Sequence, residues 1–265
     1  GSNVWTIASR SLWQHTSSLF LFTLTIYFLL LGLKNKKFIQ VTGLLAGLTV
    51  LVRPTNIVFA IPIATYVFFQ YKEQFFKFVL WGIPTVLIYL GLNKIMYGAF
   101  LLEGYQASDR IQFTTPLLIG TIGLLYSPAQ GFLFTMPTLF PGFYQVVRNF
   151  FIKNKNEIEV LLSYLGVIFI LGFIMMAKWR SWEGADRFGP GLLTEYLSIL
   201  GIFSFIFIDR VVKRFPKATV IVLTILTIYS FYVHFNAVVF RKSRCTAKHT
   251  WSFYCLQPPD RWPEY

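Results

Sequence analysis

Acidic side chains are scarce in this chain. Eleven Asp and Glu stand among 265 residues, against 24 Lys and Arg, and none precedes Glu73. Charge of either sign is sparse: 13% of residues are charged, while 55% are hydrophobic, including 29 Phe, and the mean hydropathy is +0.57. A soluble domain lacks the polar surface to cover that much apolar side chain, whereas lipid solvates it. The composition therefore predicts an all-α, polytopic transmembrane helical bundle rather than a set of soluble domains.

Cysteine and histidine are nearly absent too, with two Cys and three His. No zinc-ligand spacing and no nucleophile elbow is present, which argues against a soluble hydrolase. The net charge of +13 raises nucleic acid as a partner. However, the chain has no arginine-rich arm or helix-turn-helix pattern, and its cations cluster where apolar runs end, as anionic headgroups favour. No nucleic-acid partner is expected, and no secretory cleavage pattern opens the chain.

Apolar runs and their breakers predict about eight membrane segments, at 17–33, 39–52, 55–70, 78–97, 116–146, 160–177, 192–208 and 218–239. The second and third are short for a crossing, which takes about 20 residues. Between them lies Arg53-Pro54, and proline ends or kinks helices. The pair is either a tight hairpin or a broken pair reaching part-depth. The fifth is too long and holds Pro128, Pro137 and Pro141. It reads as an irregular stretch at 126–131 followed by a helix. The bundle is assigned to residues 1–240 and a polar tail to 241–265.

The cationic loops at 34–37, 72–77, 148–155 and 210–217 fall on alternate gaps. The positive-inside rule sets these on the cytoplasmic side. Both termini, the loop at 98–115 and the loop near 179–191 then face outward. Cys245 and Cys255 lie in the outward tail, where a disulfide is expected in an oxidising compartment and a reduced pair is the alternative.

The outward loop is the most informative stretch. From Lys178 to Gly191 it gathers Lys178, Arg180 and Arg187, Glu183 and Asp186, and Trp179 and Trp182. Charges beside membrane helices are costly unless hydrated or paired, so such a loop reads as a site for a charged or sugar-bearing ligand.

Several runs carry a resemblance by their order and spacing: Ser11-Leu12-Trp13-Gln14-His15; the glycine run 43–47 leading to Arg53-Pro54; Asn93 with Tyr97-Gly98 and Glu103-Gly104-Tyr105; Gly123 to Pro128 with Gly131; and Trp179 to Glu195. Together they resemble the later part of bacterial and archaeal membrane glycosyltransferases of the GT-C type, the superfamily of the protein mannosyltransferases and aminoarabinose transferases. The resemblance reaches to about Ile208. It implies an integral protein of a prokaryotic plasma membrane, working in cell-envelope glycosylation. The implied reaction moves a sugar from a polyprenyl-phosphate donor to an acceptor at the extracytoplasmic face. A carboxylate takes the acceptor proton, and cations meet the leaving phosphate.

Two positions depart from the family. Its catalytic carboxylate lies in a first outward loop, which would precede this chain, so the chain reads as a C-terminal portion with no catalytic base named. Where the family often shows Arg after Phe-Gly-Pro, this chain has Gly191, with Arg187 four residues earlier.

The substrate-binding candidates are Arg53, Glu103, Tyr105, Trp182, Glu183, Asp186, Arg187 and Glu195. Each has a plainer reading. Arg53 either holds lipid phosphate or snorkels to the interface. Asp186 and Arg187 either contact ligand or form a surface ion pair. Trp182 either stacks on sugar or belongs to the interfacial aromatic belt. Glu103 and Tyr105 either bind sugar hydroxyls or sit in a solvated loop. Glu195, one turn into an apolar segment, needs a partner, with Arg187 or a distant cation as candidates. His15 either binds substrate or is structural, Lys178 and Arg180 read as interfacial anchors, and His234 reads as a packing residue. No cofactor is identified and no metal site is assigned; a divalent metal is neither required nor excluded. Membrane lipids are expected partners and the acceptor is open. The alternatives are a lipid or solute transporter or flippase, and a non-catalytic membrane scaffold.

Overall fold

The computed structural model describes residues 4, 14–100, 113–128, 130–183 and 188–239. Every regular element among them is helical, and five helices are long and apolar enough to cross a membrane. The side-chain distribution is compatible with an integral membrane protein. Ile95, Phe76, Leu118 and Phe205 are each at least 70% exposed, while Ser18, Thr25, Asn56, Gln145, Asn149 and Glu195 are buried. Such an arrangement would be unstable in water and is favourable in hydrocarbon.

The chain forms two compact units, one of residues 17–112 with 149–172, the other of 1–16 and 113–148 with 173–265.

In the first unit run α1 (Gln14–Lys34, from Ser17 onward), α2 (Phe38–Val52), α3 (Ile57–Gln70), α4 (Lys72–Tyr97) and the beginning of α8 (Glu157–Lys178). The cationic turn after α1 is closed by Asn35, whose side-chain oxygen accepts from the Lys37 amide at 3.1 Å. α2 has 15 residues and rises about 22 Å, short of a hydrocarbon core of about 30 Å. Close packing against α4 compensates. Gly43 and Gly47, one turn apart, let the backbones approach until a Cβ on Gly43 would overlap the Phe78 carbonyl oxygen and one on Gly47 the Thr85 hydroxyl. Small residues at this spacing are how helices associate where no water drives them together.

Arg53 is extended (φ −151°, ψ 110°), as a residue before proline should be, and Pro54–Asn56 forms a 3-10 turn leading into α3. Asn56, the last residue of that turn, fastens the joint. Its side-chain amide donates to the Thr49 carbonyl at 2.9 Å and to the Ser18 hydroxyl at 2.8 Å, tying the joint to α1. One residue, Tyr71, separates α3 from α4. Its ring packs on Tyr66, which also meets Tyr164, and burial pushes its phenol above the ordinary value. α4 ends at Gly98, whose φ of 74° is left-handed and favours glycine.

In the second unit are α5 (Leu117–Tyr126), α6 (Phe132–Thr135), α7 (Pro141–Phe150, up to Arg148), the end of α8, α9 (Leu197–Arg214) and α10 (Pro216–Val239). Two 3-10 turns interrupt it, Pro137–Leu139 and Gly191–Tyr196. The stretch 116–146, expected as an irregular entry at 126–131 followed by a helix, opens instead with the ten-residue α5, and the irregular connection and short turns come after it, where prolines and Gly131 interrupt helix. The carbonyls freed there are taken by longer helices. Ser230 and His234 Nε2 of α10 both donate to the Thr135 carbonyl, at 2.9 and 3.1 Å, and Ser204 of α9 donates to the Leu139 carbonyl at 2.8 Å. His234 is thus a packing residue that also satisfies backbone.

Two boundaries differ from expectation. α4 begins at Lys72, so the charged run 72–77 is its opening turns, with Glu73 favourable at the positive end of the helix dipole. The segment expected from residue 192 opens as the 3-10 turn and continues to Arg214.

The α2–α4 crossing makes a direct prediction. Gly43→Ala lowers stability by about 1–3 kcal/mol through overpacking, whereas Gly91→Ala, with open space at its Cβ, is neutral or stabilising by up to about 1 kcal/mol. Thermal unfolding in detergent separates the two.

Candidate functional site

The candidate site is built in the unit that holds α5, α9 and α10. Its foundation is the end of α8, where last-turn carbonyls have no helical partner. Thr115, just before α5, supplies one: its amide donates to the Lys178 carbonyl at 3.2 Å and its hydroxyl to the Trp179 carbonyl at 2.8 Å. Phe113 packs edge-on against Trp179 with ring centres 5.3 Å apart. Farther along, Gly120 of α5 lies so close to α8 that a Cβ there would overlap the Ala177 carbonyl. The start of the tryptophan-rich loop is therefore fixed from both sides.

Trp182 turns inward and is 1% exposed, with its six-membered ring laid over Gly123 of α5. That ring edge is occupied by the protein, which removes it from both the interfacial belt and an open sugar platform. The indole Nε1–H, also buried, has no hydrogen-bond partner among the described residues. A buried donor left unpaired costs about 1–3 kcal/mol. Glu183, next in sequence, is buried as well, while Lys178 and Arg180 remain exposed.

Beyond the loop, Gly189 is left-handed at φ 80°, and Phe188 meets the His234 ring edge-on at 5.4 Å. All six residues of the Gly191–Tyr196 turn are buried. Thr194 donates back to the Gly191 carbonyl at 2.7 Å, so the turn closes on itself and aims Glu195 inward.

Glu195 is 1% exposed and His15, at the start of α1, is 2% exposed. His15 Nδ1 and Glu195 Oε2 share a hydrogen bond of 2.8 Å across 180 residues of sequence. The partner that the carboxylate needs is thus a histidine. Sequence spacing carries no trace of this pairing.

The remaining candidates are dispersed. Arg53 is buried at the α2–α3 joint of the other unit, held inside rather than snorkelling outward. Glu103, Tyr105, Asp186, Arg187, Cys245 and Cys255 lie outside the described residues. Asn93 is buried near the end of α4 and donates to the Phe100 carbonyl at 3.3 Å. Among the described residues no three His, Cys, Asp or Glu side chains gather as a metal site would require.

One unit therefore contains a buried carboxylate–imidazole pair, a second buried carboxylate and a buried indole donor, together with two of the five long apolar helices. Comparisons with protein-family models, curated proteins and solved structures find no match. What fold and composition define is a class, a multi-helix chain whose long apolar helices suit it to a membrane.

Glu195→Ala removes the buried 2.8 Å contact to His15 and is expected to destabilise the fold by about 1–3 kcal/mol, and Glu195→Gln, which can still hydrogen-bond His15, by less. Denaturation in detergent, followed by helical circular dichroism, measures the difference.

Proposed function

We propose that this chain is the later part of a GT-C-type membrane glycosyltransferase, with the loop 178–191 and the following turn forming part of the site for a polyprenyl-phosphate sugar. The observation that carries the reading is the Trp182 indole N–H, buried and awaiting an acceptor. It lies next in sequence to Glu183 and in the same unit as the His15–Glu195 pair. A buried donor without a partner calls for an explanation, and a bound ligand supplies one. A phosphate or sugar oxygen is the acceptor that an indole donor would meet there. The same unit carries the resemblance runs 123–131 and 179–195. His15 and Glu195 act in this reading as positioning residues, holding the Gly191–Tyr196 turn that follows the loop in sequence.

The topology proposed with it has eight segments, five long helices together with the shorter α2, α3 and α5. Both termini and the loop 178–191 face outward, and the cationic turns face the cytoplasm. The protein then belongs in a prokaryotic plasma membrane.

Two tests follow. In membranes from cells expressing the complete reading frame, sugar transfer from a panel of labelled polyprenyl-phosphate donors is expected. Trp182→Phe keeps an aromatic ring but removes the donor. It should leave stability within about 1 kcal/mol and reduce transfer about tenfold or more at limiting donor. Undiminished transfer by a stably folded Trp182→Phe variant would remove the indole from the site. Absence of transfer with every donor, under conditions where the unaltered protein is folded, counts against the reading as a whole.

For orientation, with Cys245 and Cys255 replaced by serine, a membrane-impermeant thiol reagent applied to intact cells should label Ser181→Cys and spare Lys36→Cys. The reverse pattern would invert the topology.

A further inference from the structure

A second feature lies in the unit formed by residues 17–112 and 149–172. A cavity of about 530 Å³ opens where the end of α1 meets the start of α8, lined by Leu30, Leu33, Lys34, Asn156, Glu157 and Ile158. Its size falls in the range of small-molecule sites. The wall is almost entirely apolar, yet the lining carries one cation and one anion. Lys34 is the final residue of α1 and Glu157 the first of α8.

The rest of this corner is already satisfied. Asn156 and Glu159 form a reciprocal cap on α8: the Asn156 side-chain oxygen accepts from the Glu159 amide at 2.9 Å, and the Glu159 carboxylate accepts from the Asn156 amide at 2.9 Å. By contrast, the Lys34 ammonium and the Glu157 carboxylate enter no hydrogen bond or ion pair among the described residues, with each other or with a third group. Both charged residues are exposed, so the apolar cavity carries an accessible cation and an accessible anion on its open lining, a pattern that matches a ligand that is itself a zwitterion with an apolar tail.

We propose that this cavity binds a phosphatidylethanolamine. The lipid phosphate meets Lys34, the ethanolamine ammonium donates to the Glu157 carboxylate, and one acyl chain runs along Leu30, Leu33 and Ile158. The selectivity is chemical. An anionic headgroup such as phosphatidylglycerol satisfies Lys34 but sets its charge beside Glu157. A choline headgroup carries the positive charge with no N–H to give, so it loses the charge-assisted hydrogen bond. This site is independent of glycosyl transfer and stands or falls separately from it.

The test uses the intact chain, purified in detergent and equilibrated with phospholipids of matched acyl chains. The series runs from phosphatidylethanolamine through its N-methyl and N,N-dimethyl forms to phosphatidylcholine, with phosphatidylglycerol beside it. Retained lipid is read by native mass spectrometry. Retention should decline along the methylation series, by about threefold from first to last, with phosphatidylglycerol below phosphatidylethanolamine. Glu157→Gln should equalise the ethanolamine and choline lipids, and Lys34→Gln should weaken both. Equal retention across the series, first place for phosphatidylglycerol, or an ethanolamine preference that survives Glu157→Gln in a folded variant overturns the proposal. Should either variant lose its helical signal, the methylation series on the unaltered protein decides alone.

Discussion

A backbone carbonyl or amide in an apolar surrounding must find a partner, and the fold of this chain is organised by where its helices break that rule and how the debt is met. Proline and glycine interrupt the chain at Arg53-Pro54 and again between residues 127 and 141. Each interruption is braced by polar side chains. Asn56 adds a second bond to the Thr49 carbonyl at the first break, and Ser204, Ser230 and His234 donate from other helices to carbonyls at the second. These four residues would look misplaced in otherwise apolar segments. In context they allow short, irregular helices to exist in a medium that offers no water.

The same constraint governs the candidate site. A carboxylate in the Gly191–Tyr196 turn has no solvent to stabilise it, and His15 closes the account from the far end of the sequence. Trp182 is the contrasting case. Its ring is well placed over Gly123, while its N–H is left without an acceptor among the described residues. One group is satisfied internally, while the other is buried with no acceptor among the described residues.

Much of the architecture was legible in the sequence because it follows from local chemistry. The scarcity of charge and the apolar runs specify helices suited to lipid, and Arg53-Pro54 specifies a break whose preceding residue is extended. Three features resisted. The opening of α4 at Lys72 was read as a loop because its charges mask helical periodicity. The region 116–146 was read as a segment with an irregular beginning, whereas α5 is helical first and irregular after, since prolines indicate where helices stop and say little about which side remains ordered. The His15–Glu195 pairing could be anticipated only as a requirement. That Glu195 needs a partner follows from its surroundings; which residue fills the role depends on packing between elements far apart in the chain.

The crossing of α2 and α4 has a consequence for biogenesis. A helix of 15 residues is a weak candidate for independent integration into a bilayer. Its tightest neighbour is the helix after next, and Gly43 cannot reach Phe78 until α4 has been synthesised. In a membrane setting, the segment from Phe38 to Tyr97 would then be expected to integrate as one cohort, with α2 waiting for its partner. Mutations at Gly43 or Gly47 would then act during synthesis as well as in the finished protein, by leaving α2 stranded at the point of insertion.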